Sequence, residues 1–313
     1  MTNLSEFTFL SSDGKTQLHG MLWEPEGVAV RAVLQICHGV AEHIARYDGF
    51  ARALNEQGIV VAGHDHLGHG KSLPESGTPV YFGDGNTWNT VVDDIYVLHQ
   101  RLKQRYPDAP LCIMGHSMGS FLTRTYLIRY PGTVKAAVIM GTGWQPRAAI
   151  TGGLALANAI AAVSGENATS ELVTELAFGS YNKLFAPNRT KVDWLSADES
   201  NVDDYIADPL CGADATVGLF RQMLHGIRFN QRQSHLRQMD REMPVLFVAG
   251  DKDPVGSCGK GVRQTYDAFR AAGMRDCTLK LYPGLRHEIL NEKAYTADIT
   301  KNIEAWLLSR LEK

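Results

Sequence analysis

The residues of this chain best suited to chemistry are a serine, an aspartate and a histidine that each follow a short apolar run. Ser117 stands in the pentapeptide Gly115-His116-Ser117-Met118-Gly119, directly after the apolar residues 111–114 and before a stretch with helical spacing. A serine at a sharp strand-to-helix turn can attack an acyl carbonyl, and flanking glycines avoid collisions with the neighbouring strand and helix. The sequence therefore predicts Ser117 as a nucleophile.

A nucleophilic serine needs a base, and the base needs an acid that orients it. Two later apolar runs end in the segments Gly250-Asp251-Lys252-Asp253-Pro254 and Gly284-Leu285-Arg286-His287-Glu288. We predict His287 as the base, because it is the only histidine after residue 243. We predict Asp253 as the acid, because it reaches further over the sheet edge than Asp251, which is the alternative.

The oxyanion that forms during attack needs N–H donors. The start of the helix behind Ser117 supplies the N–H of Met118, and we expect the second donor to be Val40, in the loop His38-Gly39-Val40. Gly39 lets this backbone approach closely, whereas His116 should point away from the serine. The supporting residues that we predict are His38, Gly39, Gly115, His116 and Gly119.

A further polar segment, Gly63-His64-Asp65-His66-Leu67-Gly68-His69, holds three histidines and an aspartate. Such residues can bind a metal ion, but no second ligand cluster accompanies them. We therefore predict a structural loop that braces the His38-Gly39-Val40 loop, which we call the oxyanion loop. We predict no metal site and no cofactor.

Strands and helices alternate along most of the chain, which predicts an α/β fold with a mostly parallel sheet covered on both faces. The pattern begins with a hairpin of residues 6–10 and 16–25. It continues with strands at 32–37, 59–62, 111–114, 134–140, 245–249 and 278–282 and helices at 47–57, 87–106, 117–130, 262–272 and 295–311. The carboxyl ends of parallel strands would bring Ser117, Asp253 and His287 to one edge.

The alternation stops between residues 144 and 243, which predicts helical and loop pieces. We predict a core of residues 1–143 and 244–313 with residues 144–243 inserted as a helical lid. The apolar lid residues suit an acyl chain or a transient contact with a membrane surface, but packing on the core explains them equally well; they are Leu154, Leu156, Ile160 and Val163.

Composition excludes several other classes of protein. The 313 residues include 31 Lys and Arg against 34 Asp and Glu, a net charge of -3, so no nucleic-acid partner is expected. The five scattered cysteines do not form a disulfide framework. The start of the chain lacks a signal-peptide pattern, and residues 148–165 fall short of the roughly 20 apolar residues of a membrane span, so we expect a soluble, cytoplasmic protein. The sequence does not indicate an oligomeric state.

Together these motifs resemble the monoacylglycerol lipase and lysophospholipase branch of the serine α/β-hydrolases, the serine aminopeptidase S33-like or hydrolase-4 family. The resemblance covers about residues 10 to 310, with a looser likeness to bacterial lids in residues 186–211. The chain departs from the pattern at Val40-Ala41, where a smaller residue and a glycine are often found. The matching motifs are His38-Gly39-x-x-Glu42-His43 with Arg46-Tyr47, Asp65-His66-x-Gly68-His69-Gly70-x-Ser72, the Ser117 pentapeptide, Gly250-x-x-Asp253-Pro254 and Gly284-x-x-His287-Glu288.

The resemblance implies the α/β-hydrolase fold and cleavage of a carboxylic ester through an acyl-enzyme. It implies nucleophile Ser117, acid Asp253, base His287 and N–H donors at Val40 and Met118. The expected substrate is a small-molecule ester with a fatty acyl chain, of the monoacylglycerol or lysophospholipid type. One alternative is a small-ester or amide and peptide hydrolase of the same fold. The other is a catalytically silent binding protein, although no member of the triad is missing.

Overall fold

A single eight-stranded sheet organises the chain in the computed structural model, which describes residues 1–311 apart from the side chains of residues 176 and 177. The strand order is β1-β2-β4-β3-β5-β6-β7-β8, and β3 to β8 run parallel to one another. The strands are β1 Thr2–Leu10, β2 Gln17–Pro25, β3 Ala32–Cys37, β4 Ile59–His64, β5 Leu111–His116, β6 Ala136–Met140, β7 Val245–Gly250 and β8 Cys277–Tyr282.

The predicted hairpin is confirmed and extends further than expected. β1 pairs antiparallel with β2 from Thr2 opposite Pro25 to Leu10 opposite Gln17. Two buried strands are also longer than predicted, because β4 continues to His64 and β5 to His116. His64 still pairs with Gly20 and His116 with Met140, so the backbone hydrogen bonds of both strands extend beyond the apolar residues.

Helices cover both faces of the sheet, as predicted. The helices are α1 Asp48–Asn55, α2 Thr87–Arg105, α3 Met118–Arg129, α4 Arg147–Ser164, α5 Glu171–Thr174, α6 Ser180–Lys183, α7 Glu199–Ala207, α8 Val217–Asn230, α9 Gln233–Leu236, α10 Lys260–Ala271 and α11 Thr296–Leu311. α1 and α11 pack on one face of the sheet. α2, α3 and α10 pack on the other, in the larger cluster of core residues.

The central strands explain this arrangement. Every residue of β3, β4, β5, β6 and β7 is buried, as expected for strands with helices on both sides. Alternate residues enter opposite clusters: Val33 and Ile113 face α2 and α3, whereas Leu34 and Met114 face α1 and α11. The apolar runs therefore fix the frame that carries the loops at their carboxyl ends.

Helices α4 to α9 lie in the stretch between β6 and β7, which we call the β6–β7 segment (residues 141–244). α8 packs on α3 of the core and on α4. α4 has 18 residues and a mean hydropathy of 1.3, so by length and composition alone it could cross a membrane, and 17% of it is buried. This differs from the expectation that residues 148–165 are too short for a span. The buried side chains of α4, Ile150, Leu154 and Ala157, share one face at helical spacing.

Candidate active site

The turn between β5 and α3 holds Ser117 in an uncommon backbone conformation. Its φ is 55° and its ψ is -122°, outside the regions that L-residues usually adopt, and α3 therefore begins at Met118 rather than at the serine. At both flanking glycines, other backbone atoms lie where a side chain would be. A Cβ at Gly115 would collide with the Gly119 carbonyl oxygen, and a Cβ at Gly119 would collide with the Cys37 carbonyl oxygen.

The loops after β7 and β8 bring the predicted acid and base together. Nδ1 of His287 lies 3.0 Å from Oδ1 of Asp253, and both side chains are buried. The same carboxylate oxygen accepts the N–H of Val255 at 2.9 Å. Asp251 instead accepts the N–H of Gly284 at 2.8 Å and does not contact His287. A proton on Nδ1 that is donated to Asp253 leaves Nε2 of His287 free to accept one.

The two predicted oxyanion donors lie beside Ser117. Met118 is the first residue of α3, where a backbone N–H has no acceptor within the helix. The loop after β3 passes so close that a Cβ on Gly39 would lie 3.1 Å from the Cβ of Ser117, and Val40 follows in the same loop. Ala41 has a φ of 53°, in the left-handed region that favours glycine. This conformation gives a physical reason for glycine at that position of the family pattern.

Glu42, a residue with no role in the sequence-based predictions, joins the loop after β3 (the oxyanion loop) to the turn that carries Ser117 (the serine turn). It is buried, and its Oε1 accepts the N–H of Gly39 at 2.5 Å, the hydroxyl of Tyr47 at 3.0 Å and Nδ1 of His116 at 3.2 Å. Burial raises the pKa of the Glu42 carboxyl, but His116 and Arg46 outweigh burial and hold that pKa well below its ordinary value. A charged carboxylate therefore connects the oxyanion loop to the serine turn.

Arg46 extends this connection to the loop that carries His287. Its guanidinium donates one bond to Glu42 at 3.0 Å and two to Glu288, at 2.7 and 2.8 Å. Burial raises the pKa of Glu288, but the charge and hydrogen bonds of Arg46 lower it below its ordinary value overall. The sequence shows that Arg46 stands four residues after Glu42 and that Glu288 follows His287. It does not indicate that Arg46 joins Glu42 to Glu288.

His116 points away from Ser117, as predicted, into this group of charges. Its Nε2 lies 3.3 Å from the carbonyl oxygen of His287, on the side opposite Glu42. Burial lowers the pKa of His116, but the hydrogen bond and charge of Glu42 outweigh burial and raise it. His116 thus links the serine turn with the histidine loop and is not placed to act as the base.

The histidine-rich loop after β4 braces the oxyanion loop, as predicted. The N–H of His66 donates to Nε2 of His38 at 2.9 Å, so the proton of His38 is on Nδ1, which donates to the Gly39 carbonyl at 2.8 Å. Asp65 accepts the N–H of Ile44 at 2.8 Å. Burial lowers the pKa of His38, as it does those of His64, His66 and His69. These imidazoles are therefore neutral.

Two cavities meet at Ser117, and the surfaces of both are mostly apolar. The larger of the two, about 860 Å³, also has charged side chains in its wall, for which we call it the polar cavity: Glu171, Glu175, Lys183, Lys191 and Asp214. The apolar cavity, about 430 Å³, is lined by side chains of α4 and α8 that include Leu156, Phe220, Met223, Leu224 and Ile227. Ser117, Val40, Phe178 and Trp194 line both. His287 lies in the wall of the polar cavity, under the Trp194 ring at 5.1 Å between centroids.

Backbone contacts hold the β6–β7 segment against the His287 loop. The N–H of Glu288 donates to the Leu195 carbonyl at 2.7 Å, and Arg286 donates to the Asp193 and Ser196 carbonyls at 2.5 and 2.9 Å. The segment is therefore tied to the residue next to His287, although it contributes no carboxylate or imidazole to the serine turn among the described contacts.

Comparison with known proteins identifies the family. Residues 28–294 match the family model described as serine aminopeptidase, S33. The chain belongs to this family. The monoacylglycerol lipase of Mycolicibacterium smegmatis is 30% identical over 312 residues, which cover 98% of each chain. The human monoglyceride lipase is 27% identical over 303 residues, which cover 96% of this chain and 89% of that one.

Solved structures agree with this assignment. A thermostable carboxyl esterase from Bacillus coagulans in complex with glycerol superposes with a TM-score of 0.92 at 26% identity, covering 99% of this chain and 100% of that chain. A lipase in an open form gives a TM-score of 0.88 at 28% identity, with the same coverage. These findings confirm the α/β-hydrolase fold predicted from the sequence. The chain is a serine ester hydrolase.

Proposed function

We propose that this hydrolase cleaves fatty acyl esters of the monoacylglycerol or lysophospholipid type through an acyl-enzyme on Ser117. The observation that carries the proposal is the position of Ser117, which lines both an apolar and a polar cavity. An ester of this type also has an apolar acyl chain and a polar alcohol on either side of the scissile carbonyl. The relatives named as monoacylglycerol and monoglyceride lipases support this choice.

In the proposed first step, His287 accepts the Ser117 proton on Nε2 while the serine oxygen attacks the carbonyl carbon. The N–H groups of Val40 and Met118 bind the oxyanion, and the Asp253 carboxylate stabilises the imidazolium. The C–O bond to the alcohol then breaks, and His287 gives its proton to the leaving oxygen. In the second step His287 activates water, which releases the fatty acid and restores Ser117.

The acyl chain is proposed to enter the apolar cavity and the alcohol to occupy the polar one. Each methylene group that leaves water contributes about 0.8 kcal/mol, so the apolar walls favour chains long enough to fill them. Hydroxyl groups of a glycerol head group can form hydrogen bonds in the polar cavity, where Thr169, Ser170 and Asn182 accompany the charged side chains.

Residues 144–243 are proposed to form a lid on a core of residues 1–143 and 244–313. Five large apolar side chains of this lid are exposed: Val163, Leu172, Leu184, Ile206 and Leu210. We propose that the cytoplasmic enzyme meets its substrate at a membrane surface through these side chains. Co-sedimentation with phosphatidylcholine vesicles tests this, because replacing Val163 and Leu184 with Asp should abolish binding. Unchanged binding by that variant would contradict a lid contact.

A small-ester hydrolase is the second candidate, because the similar structure from Bacillus coagulans is named a carboxyl esterase. One assay separates the two: fatty-acid release from a monoacylglycerol and a lysophospholipid beside cleavage of p-nitrophenyl acetate. Ser117→Ala should lose activity on all three by about 10⁴-fold or more, whereas Ser234→Ala, at an exposed position of α9, serves as the matched control. Serine-dependent cleavage of the acetate alone would retain the mechanism and reject the lipid substrate.

A further inference from the structure

Three metal-ligating side chains meet where the β6–β7 segment contacts the loop after β3, outside the site described above. They are His43 from the loop and Asp208 and Cys211 from the segment. Nε2 of His43 lies 2.8 Å from Oδ2 of Asp208, and the ligand atoms of all three residues lie within 4.8 Å of one another. We propose that these three side chains bind Zn²⁺.

The ligand set and its spacing suit this ion. Imidazole nitrogen, carboxylate oxygen and thiolate sulfur are the donors that zinc takes in proteins, and tetrahedral coordination places such atoms roughly 3.3–3.6 Å apart. Nε2 of His43 and Oδ2 of Asp208 must therefore move slightly apart, and Sγ of Cys211 must move closer to them. Three protein ligands leave the fourth position for a water molecule.

The surroundings of the three ligands favour a cation. Asp208 is the C-cap residue of α7 (Glu199–Ala207), and free carbonyls give this end of a helix a partial negative charge. Arg46, whose charge acts on Asp208 and Cys211, is paired with the carboxylates of Glu42 and Glu288. Zinc binding that releases the Cys211 proton adds one positive charge overall near these carboxylates.

Zinc binding at this site must displace a proton. The thiolate form of Cys211, not the thiol, is the zinc ligand. As the sulfur–zinc bond forms, the S–H bond breaks and the proton passes to solvent. The affinity for zinc should therefore rise with pH. Asp208 and Cys211 are partly exposed, which gives the ion access.

The site would add a metal-mediated link between two regions that already touch. The Ala41 carbonyl oxygen, two residues before His43, accepts the Tyr205 hydroxyl and the N–H of Gly212, both at 3.0 Å. No metal site was predicted from the sequence, where no second ligand cluster accompanies the histidine-rich segment, and spacing could not pair His43 with Asp208 because they are 165 residues apart. Only the fold brings these ligands together.

Titration of the chelator-treated full chain with Co²⁺ and Zn²⁺ tests the proposal. Co²⁺ should give a thiolate-to-metal charge-transfer band at one equivalent, and Zn²⁺ should displace it and raise the thermal midpoint. Cys211→Ser should abolish the band. Asp208→Asn should weaken zinc binding by about 100-fold, because even the loss of a residue that only contacts a metal ligand can cost that much. Cys258→Ser, at an exposed cysteine elsewhere, is the matched control.

Two results would overturn the proposal. One is the absence of a charge-transfer band in the wild-type chain at one equivalent of Co²⁺. The other is zinc affinity that is the same in the wild type, Cys211→Ser and Asp208→Asn, which would place the ion elsewhere. Turnover of p-nitrophenyl acetate by each variant shows that it is folded, so a lost band cannot be attributed to unfolding.

Discussion

The two sides of the site are held in different ways. On the core side, buried charged groups join the loops: Glu42, Arg46, His116 and Glu288 make short hydrogen bonds across three of them. On the other side, the β6–β7 segment lines the apolar cavity with aliphatic and aromatic side chains of α4 and α8. Buried charge fixes geometry because an unmatched group is costly, whereas apolar walls tolerate changes of shape. We therefore expect core changes to affect every ester and segment changes to select among esters.

The largest effect is expected from Asp253, the proposed acid. Asp253→Asn should lower kcat by about 10⁴-fold on short and long esters alike, because the amide favours the wrong tautomer of His287. The matched control is Asp251→Asn, two residues away, whose carboxylate bonds to Gly284 instead. Steady-state kinetics on p-nitrophenyl acetate and p-nitrophenyl decanoate measure both. Equal losses in the two variants would contradict the assignment of Asp253.

The Glu42 junction should give the next largest effect. Glu42→Gln keeps the shape but removes the charge that faces Arg46 and His116, so the oxyanion loop and serine turn should shift. Misplacement by about 1 Å costs on the order of 100-fold in rate, and we expect a loss of that size in kcat with little change in KM.

Glu24→Gln is the control for the junction, because Glu24, near the end of β2, also pairs with an arginine, Arg105. The loss in Glu42→Gln should be the same for short and long esters. A change that appears only in KM, or only with long chains, would show that Glu42 acts on substrate binding and not on the geometry of the loops.

A change in the apolar cavity should separate long from short esters. Leu156→Trp should fill the space between α4 and α8 and lower kcat/KM for decanoate by tenfold or more, about what two buried methylene groups are worth. Acetate turnover should remain within about twofold, since acetate has no long chain to occupy the part of the cavity that Leu156 lines. Asn158→Trp, at an exposed position of the same helix outside the cavity wall, is the matched control. A parallel loss on acetate would contradict the assignment of this cavity to the acyl chain.

The smallest predicted effect concerns stability and sharpens the contrast between charged and neutral buried groups. Burial lowers the pKa of His64 to about 3, and among the described residues neither ring nitrogen has a hydrogen-bond partner. The pKa of His64 in the folded state lies below its value of about 6.5 in the unfolded state. The free energy of unfolding therefore falls as the pH drops from 6.5 toward 3. His64→Phe should remove this contribution, which is about 1.4 kcal/mol per pH unit.

Urea unfolding of the wild type and His64→Phe at pH 7.5, 6 and 5 measures this difference. The two proteins should have similar free energies of unfolding at pH 7.5 and diverge below pH 6, with the variant the more stable. Parallel pH profiles would mean that the pKa of His64 does not differ between the folded and unfolded states.

The sequence predicted the parts of the site that depend on local pattern. The serine turn, the loops with Asp253 and His287, and the strands beneath them follow from short motifs at the ends of apolar runs. The junction of Arg46 with Glu288 could not be predicted in this way, because the two residues are 242 positions apart and meet only through the sheet order. The cavities were also inaccessible, since residues 144–243 have no regular period that fixes their packing.

The central claim is that Ser117 is the activated nucleophile, and covalent labelling tests it most directly. The wild-type chain would be incubated with a fluorophosphonate that has a decyl chain, digested, and mapped by peptide mass spectrometry. We predict a single adduct on the peptide that contains Ser117, with loss of hydrolysis in step with labelling and no adduct in Ser117→Ala. An adduct on a different residue, or hydrolysis that continues after Ser117 is fully modified, would contradict this account.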